Sequence, residues 1–432
     1  MTGSFSSPDP ERRALVDDCV HCGFCLPTCP TYDLWGEEMD SPRGRIQLMK
    51  GGLEGEPLTS TVVGHMDACL GCMACVSACP SGVRYGPLIN DTRAQIEREH
   101  PRALGERLLR TAIFTVFPHP RRLRALRGPL ALYQRLRLGA LLRRTGISER
   151  LPSRLRTAES LAPPITRAPR LGHRVPARGR RRATVGLITG CVQSAFFPDV
   201  NAATARVLAA EGCDVVIPPK QGCCGALSEH SGREEEAIAF ARNLLDTFED
   251  ARVDHVVINS AGCGSTLKDY PRLLRHHPQH AAKAERFAGQ VRDIAELLAE
   301  LGPVATRHPL PVTAAYHDAC HLSHGQGIRA QPRALLRDIP GLDLREINRS
   351  ELCCGSAGIY NLLQPDAARE LGDRKAAHVS ETGARLLITA NPGCSMHIRA
   401  ALERRGDHVA AAHTVQVLDA SIRGAPPTTL LT

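Results

Sequence analysis

Aromatic side chains are scarce in this chain. Phe, Tyr and Trp make up 4% of its 432 residues, and Trp35 is its one tryptophan, so the core must be built mostly from Ala, Leu, Val and Ile. Long apolar runs are missing too. A membrane-spanning helix needs about 18 or more consecutive apolar residues, and the most apolar stretch of the middle, Leu130 to Leu142, is interrupted by Arg135 and Arg137. No transmembrane helix is expected. The start, Met1 to Leu15, carries Asp9, Glu11, Arg12 and Arg13 and lacks the apolar core of a secretory leader. No G-x-G-x-x-G follows a strand-like run, which removes the usual dinucleotide fingerprint. Nothing in the chain is built to take a hydride from a substrate, and no flavin is expected on it.

Cysteine is plentiful, with 17 residues. In a long chain without a leader the thiols are expected to stay reduced in the cytoplasm, where clustered cysteines bind metal or do redox chemistry. Hydrophobic content of 43% and charged content of 23% are those of an ordinary globular protein. The net charge of +9 is unevenly spread. Pro101 to Arg182 holds 21 arginines, no lysine and three acids (Glu106, Glu149 and Glu159), a net +18, and both flanks are acidic. This Arg- and Leu-rich segment reads as helical stretches broken by Pro118, Pro120, Pro129, Pro152 and Pro163–Pro164. Arginine with leucine suits an anionic membrane interface; pairing with acidic partner subunits, or simple solvation, is the competing reading.

The strongest motif is a doubled one. Cys19-Val-His-Cys22-Gly-Phe-Cys25-Leu-Pro-Thr-Cys29-Pro30 and Cys69-Leu-Gly-Cys72-Met-Ala-Cys75-Val-Ser-Ala-Cys79-Pro80 are both C-x₂-C-x₂-C-x₃-C-P. Three thiolates at that spacing wrap one face of a 4Fe–4S cubane, and the fourth, before Pro, reaches the other cluster. The expected sets are Cys19, Cys22, Cys25 and Cys79 for one cluster, and Cys29, Cys69, Cys72 and Cys75 for the other. Zinc also takes C-x₂-C pairs but needs only four ligands in all. Between the motifs, Ser41 to Met49 reads as a turn and a helix. Arg43 and Arg45 there are either solvated charges at the helix start or hydrogen-bond donors near the clusters.

The second half repeats. Cys191 maps onto Cys320, Cys223–Cys224 onto Cys353–Cys354 and Cys263 onto Cys394, with Gly225 and Gly355 after the pairs. The near-constant offset points to internal duplication. Strand-like runs (Thr184–Ile188, His255–Asn259, Val312–Tyr316, Leu386–Ala390) alternate with helical ones (Asn201–Glu211, Glu234–Phe248), which predicts a mostly parallel α/β sheet in each copy. The cysteines follow strands, where such folds place their sites. Cys213 has no counterpart and reads as a buried apolar thiol. His317, His321 and His397 flank the site cysteines and are expected to be structural or to support ligands from behind.

The long insert between the doubled motifs resembles that of helical ferredoxin domains of the succinate dehydrogenase type. The repeats resemble the cysteine-rich CCG domains of heterodisulfide reductase and related proteins. In the fullest form of that family each copy ends in C-x-x-C and five cysteines hold a non-cubane cluster. Here Ser260 and Asn391 stand at the earlier position of that ending. A third site (Cys191, Cys223, Cys224, Cys263) and a fourth (Cys320, Cys353, Cys354, Cys394) are therefore open to a further iron–sulfur cluster, to zinc, or to no metal. The whole order resembles the iron–sulfur subunit of glycolate oxidase. It is shared with iron–sulfur subunits of anaerobic glycerol-3-phosphate dehydrogenase and of some lactate-oxidising systems. The resemblance implies an electron-transfer subunit, inactive toward glycolate alone, that works with a flavin-binding subunit and passes electrons toward a membrane quinone. The chain is expected to be cytoplasmic, on the inner face of the membrane if attached to it. The rival classes are a heterodisulfide-reductase-like enzyme and an iron–sulfur redox sensor; no nucleic-acid-reading module is evident, and no nucleic-acid partner is expected. The implied fold is multidomain. It runs from an α-helical ferredoxin domain with two 4Fe–4S clusters (1–100), through a helical basic spacer (101–182), to duplicated α/β CCG domains at 183–302 and 310–422.

Overall fold

A computed structural model of the chain describes residues 10–146, 150–166 and 171–431; the polar start over 1–9 and Glu149 lie outside them. Residues up to about 100 are helical. The helix Pro42–Leu53 begins where the sequence places it, because Ser41 accepts a hydrogen bond from the Gly44 amide at 3.0 Å and Pro42 fits the first helical turn. It packs through Ile46 and Met49 against Met66 of the helix Ser60–Ala68 and against Leu88, Ile89 and Ile96 of the helix Tyr85–Glu99.

The basic segment forms the helices Leu104–Val116, Pro120–Arg135, Leu138–Arg144 and Ser153–Ser160. Pro129 does not break the second of them. Leu123 is buried in the core of the first cysteine-rich copy, Arg127 donates to the carbonyls of Ala195 and Thr166, and beyond the proline Gln134 donates to the Pro163 carbonyl at 2.8 Å, so contacts on both sides hold the halves in line despite the lost N–H. Part of the charge is also consumed internally. Arg102 bonds Asp67 at 2.8 Å, Glu97 at 2.6 Å and Glu106 at 2.7 Å, and Arg110 bonds Glu106 at 2.8 Å.

Two sheets follow. The first contains β1 (Arg174–Val175), β2 (Ala183–Leu187), β3 (Cys213–Val216), β4 (His255–Ile258) and β5 (Val291–Asp293), in the order β1-β3-β2-β4-β5. The second contains β6 (Thr313–His317), β7 (Asp343–Glu346), β8 (Leu386–Thr389) and β9 (Ala410–His413), in the order β7-β6-β8-β9. All pairings are parallel except β1 with β3. With β1 set aside the two orders coincide, as the duplication predicts. Strand β1 lies within the stretch expected to be spacer. It covers the outer edge of β3, fixed by Arg174 on Asp214 at 2.7 Å, and so removes an exposed sheet edge. Cys213 is buried in β3, and burial pushes its thiol up to about 11.

The copies share one core. Val207 and Leu208 of the helix Pro198–Ala210 and Val415 and Leu418 of the helix Thr414–Ile422 lie between the sheets, and Arg206 clamps Asp419 at 2.9 and 2.8 Å. His413 ties the copies together. Its Nδ1 accepts from the Val415 amide at 3.1 Å and its Nε2 meets the Asn259 carbonyl at 2.8 Å, an arrangement that requires the neutral ring. Burial holds its pKa down at about 4. The unfolded chain takes up that proton near pH 6.5, so stability is lost as pH falls below that value. Between about pH 7 and pH 5 this histidine should cost about 2 kcal/mol. His413→Gln should flatten that part of the pH–stability curve; parallel curves for the two proteins would contradict the assignment.

Candidate functional site

The doubled motif folds into two alike loops. In each, the residue before the second cysteine and the residue after it are left-handed: His21 (φ 55°) and Gly23 (φ 86°), then Gly71 (φ 63°) and Met73 (φ 63°). Such turns aim backbone N–H groups into a concavity that suits anions. The Gly71 amide donates to Cys69 Sγ at 3.3 Å, and the Tyr85 hydroxyl reaches the same sulfur at 3.6 Å. Cys29, from the first motif, lines one small cavity with Cys69, Cys72 and Cys75 of the second.

Arg45 is not solvated. It is 1% exposed, and it donates to Asp40 Oδ1 at 3.0 Å, to Thr31 Oγ1 at 3.1 Å and to the His65 carbonyl at 2.7 Å. The buried helix start folds it beneath the thiols. Arg43 stays half-exposed, paired with Glu38 at 2.6 Å, and donates to the His21 carbonyl at 3.1 Å, which braces the first loop. Burial opposes a charged Cys69, yet Arg45, Arg93 and the Gly71 amide outweigh it and pull that thiol down. Cys72 and Cys75 have no such balance and are pushed up by burial and by neighbouring thiols. Burial lifts Cys25 to about 11.

The cysteines of the repeats, Cys213 excepted, all follow strand ends. Cys191 precedes the helix Val192–Phe196 after β2, and Cys263 lies in the helix Ala261–Lys268 after β4. Cys320 opens the helix Cys320–Ser323 after β6, and Cys394 lies in the helix Pro392–Arg405 after β8. Gly225 (φ 84°) and Gly355 (φ 92°) complete the cysteine-pair loops. A Cβ there would come within 3.1 Å of the Ala237 carbonyl and 2.6 Å of the Ala368 carbonyl, which explains glycine after both pairs. In the first copy Cys223 Sγ lies 3.5 Å from Cys191 Sγ. In the second, the donor atoms of His317, Cys354 and Cys394 lie within 4.8 Å of one another. Ser260 and Asn391 meet across the copies at 3.3 Å.

One cavity of about 380 Å³ gathers these groups. Its walls carry Cys69 and Cys72 from the second ferredoxin motif, Cys191, Cys223, Cys224 and Cys263 from the first repeat, and Cys320, Cys353 and Cys394 from the second. Arg93 fixes the junction by donating to the Met66 carbonyl at 3.2 Å and to the His230 carbonyl at 3.0 Å. His230 and His321, one from each repeat, stack with centroids 4.9 Å apart, and burial holds their pKa values near 4 and 3, so both rings are neutral. His397 turns away to the Ala368 carbonyl at 2.9 Å and supports the fold. Neither Arg93 nor this convergence is legible in the sequence, because long-range packing creates them.

These donor sets fit iron–sulfur clusters. Soft thiols stand in fours, N–H groups are turned onto sulfur, and guanidinium charge is buried beside them. Fold and site together define an iron–sulfur protein that joins a dicluster domain to paired cysteine-rich domains. Residues 15–83 match the family described as 4Fe-4S dicluster domain, and 185–268 and 314–399 match the Cysteine-rich domain. Residues 105–162 match the linker region of the glycolate oxidase iron-sulfur subunit. The chain is 39% identical over 414 residues, 93% of each chain, to the probable glycolate oxidase iron-sulfur subunit of Bacillus subtilis. It is 36% identical over 396 residues, 90% of this chain and 91% of the relative, to the glycolate oxidase iron-sulfur subunit of Escherichia coli. Lactate utilization protein A of an Exiguobacterium species is 31% identical over 242 residues, 56% of this chain and 99% of that one. The chain belongs to the glycolate oxidase iron–sulfur subunit family, and iron–sulfur clusters are its cofactors.

Proposed function

We propose that this chain is the electron-transfer subunit of a glycolate-oxidising complex. It takes electrons from a flavin-binding subunit that converts glycolate to glyoxylate and passes them toward a membrane quinone. The match over 93% of both chains carries this reading, because it includes the linker region as well as the generic cluster motifs. When bound, the clusters supply one-electron transfer, which a two-electron flavin needs as its outlet. Cys19, Cys22, Cys25 and Cys79 hold one cubane, and Cys29, Cys69, Cys72 and Cys75 the other. The thiols of both repeats form the way onward: the shared cavity sets Cys191, Cys223, Cys224 and Cys263 with Cys320, Cys353 and Cys394 against Cys69 and Cys72, and Cys354 stands beside Cys353. Arg45 and Arg93 lower the cost of negative charge at that junction. The purified, flavin-free chain should not oxidise glycolate, and adding the flavin subunit should restore turnover with an artificial acceptor. Turnover by the chain alone would refute the division of labour.

The linker helices supply the membrane side of the proposal. Among the described residues no helix is long and apolar enough to cross a membrane. Among the described residues, eight of the twelve exposed large hydrophobic ones nevertheless fall between Leu104 and Leu155, among them Leu104, Leu132, Leu136 and Leu141, on the segment richest in arginine. That surface rests on the anionic face of a bilayer. The chain should float with anionic liposomes at low salt and be released at high salt. Absence of flotation at low salt would leave an acidic partner subunit as the occupant.

A further inference from the structure

The two repeats are not chemically equivalent around their thiols. Leu187 pairs with Val257 in the first sheet and Tyr316 with Ile388 in the second, and one residue further along stand Ile188 and His317. Gly225 packs on Ala237 and Gly355 on Ala368, and seven residues beyond those alanines stand Leu244 and Lys375. Ile188 and Leu244 are buried members of an apolar core. Their counterparts in the second copy are a histidine and a lysine, and both are buried as well.

His317 is fully buried, and its ring nitrogens find no partner apart from the thiol of Cys354 that they face. A buried polar group without a strong hydrogen-bond partner is costly, and isoleucine at the matching place shows that the fold does not require a polar group there. The ring instead faces Cys354 and Cys394, with all three donor atoms within 4.8 Å of one another. Lys375, 2% exposed, donates to the Arg349 carbonyl at 2.6 Å and lies in the field of the Cys354, Cys320 and Cys353 thiols. A buried ammonium beside several thiols offsets the negative charge those thiols carry once they bind metal.

We propose that the second repeat holds a metal centre of mixed imidazole and thiolate ligation, with His317, Cys354 and Cys394 as donors, and that the first repeat holds no centre of this kind. The ion is one that accepts both nitrogen and soft sulfur, iron or zinc. Lys375 balances its charge. In an iron centre, exchanging a thiolate for an imidazole raises the potential. The assignment is independent of the glycolate reading, because it rests on donor geometry within this chain.

The test compares the anaerobically purified full chain with His317→Ala and with Ile188→Ala, the matching truncation in the first repeat. Iron, zinc and acid-labile sulfide per chain are measured, with the EPR of the reduced cubanes as the internal control. His317→Ala should lose one centre's worth of iron or zinc, and the element that falls identifies the ion. The cubane signals should be unchanged, and Ile188→Ala should keep the full complement. Should the alanine variant not fold, His317→Cys supplies a thiolate at the same place and should keep the metal, with altered spectra for iron or altered affinity for zinc. Equal metal content in wild type and His317→Ala would overturn the proposal. So would a wild type holding nothing beyond two cubanes.

Discussion

Cys29→Ser should empty the cluster site of the other motif. Cys29 stands in the first C-x₂-C-x₂-C-x₃-C-P run but shares its cavity with Cys69, Cys72 and Cys75 of the second. Under crossed ligation the variant should lose about four irons per chain. A single set of reduced-cubane signals should remain where wild type shows two interacting ones, and turnover through the complex should fall to background. The effect should reach beyond the ferredoxin unit. Leu70 packs with Cys320, Cys353 and Tyr360, and Cys72 lies against the same cluster, so losing the site at Cys69–Cys75 should loosen the junction with the second repeat. A variant that instead loses the signals of the Cys19, Cys22 and Cys25 site, or keeps its full iron, would show that each motif closes on itself.

Arg45→Met carries the next largest effect. The substitution leaves Asp40, 8% exposed, with the His65 ring as its remaining close side-chain partner at 3.0 Å. Breaking a buried pair in this way costs about 3–5 kcal/mol. Cys69 and Cys29 also lose the buried positive charge beside them. The ferredoxin unit should unfold at lower temperature, and its clusters should bleach with it. Arg45→Lys should rescue little, because one ammonium cannot reach Asp40, Thr31 and the His65 carbonyl together as the guanidinium fork does. Thermal melts followed by cluster absorbance measure both variants, and a loss below about 1 kcal/mol for Arg45→Met would contradict a structural role for the pair.

Much of this architecture is legible in the chain because it is written in local chemistry. Cysteine spacing is one such signal. The offset from Cys191 to Cys320 and from Cys263 to Cys394 is another, since duplicated strands and helices keep their lengths. Ser41 and Pro42 announce a helix start by their own chemistry. What was not legible depends on which surfaces meet. Arg45 looks like any arginine in a first helical turn until the helix Ser60–Ala68 closes over it. Pro129 looks like a breaker until Leu123 and Arg127 dock on the first repeat. Arg174–Val175 is too short a strand to announce itself before Asp214 fixes it. His317 is set apart only by comparison with Ile188, once the two sheets are aligned in register.

The claim at the centre of this account is that electrons from glycolate enter the clusters of this chain. Rapid-freeze EPR of the assembled complex mixed with glycolate tests it most directly. The account predicts that reduced-cubane signals appear on the timescale of turnover and that Cys29→Ser alters them. A complex that turns over and accumulates a flavin radical, while the clusters of this chain stay oxidised, would contradict it.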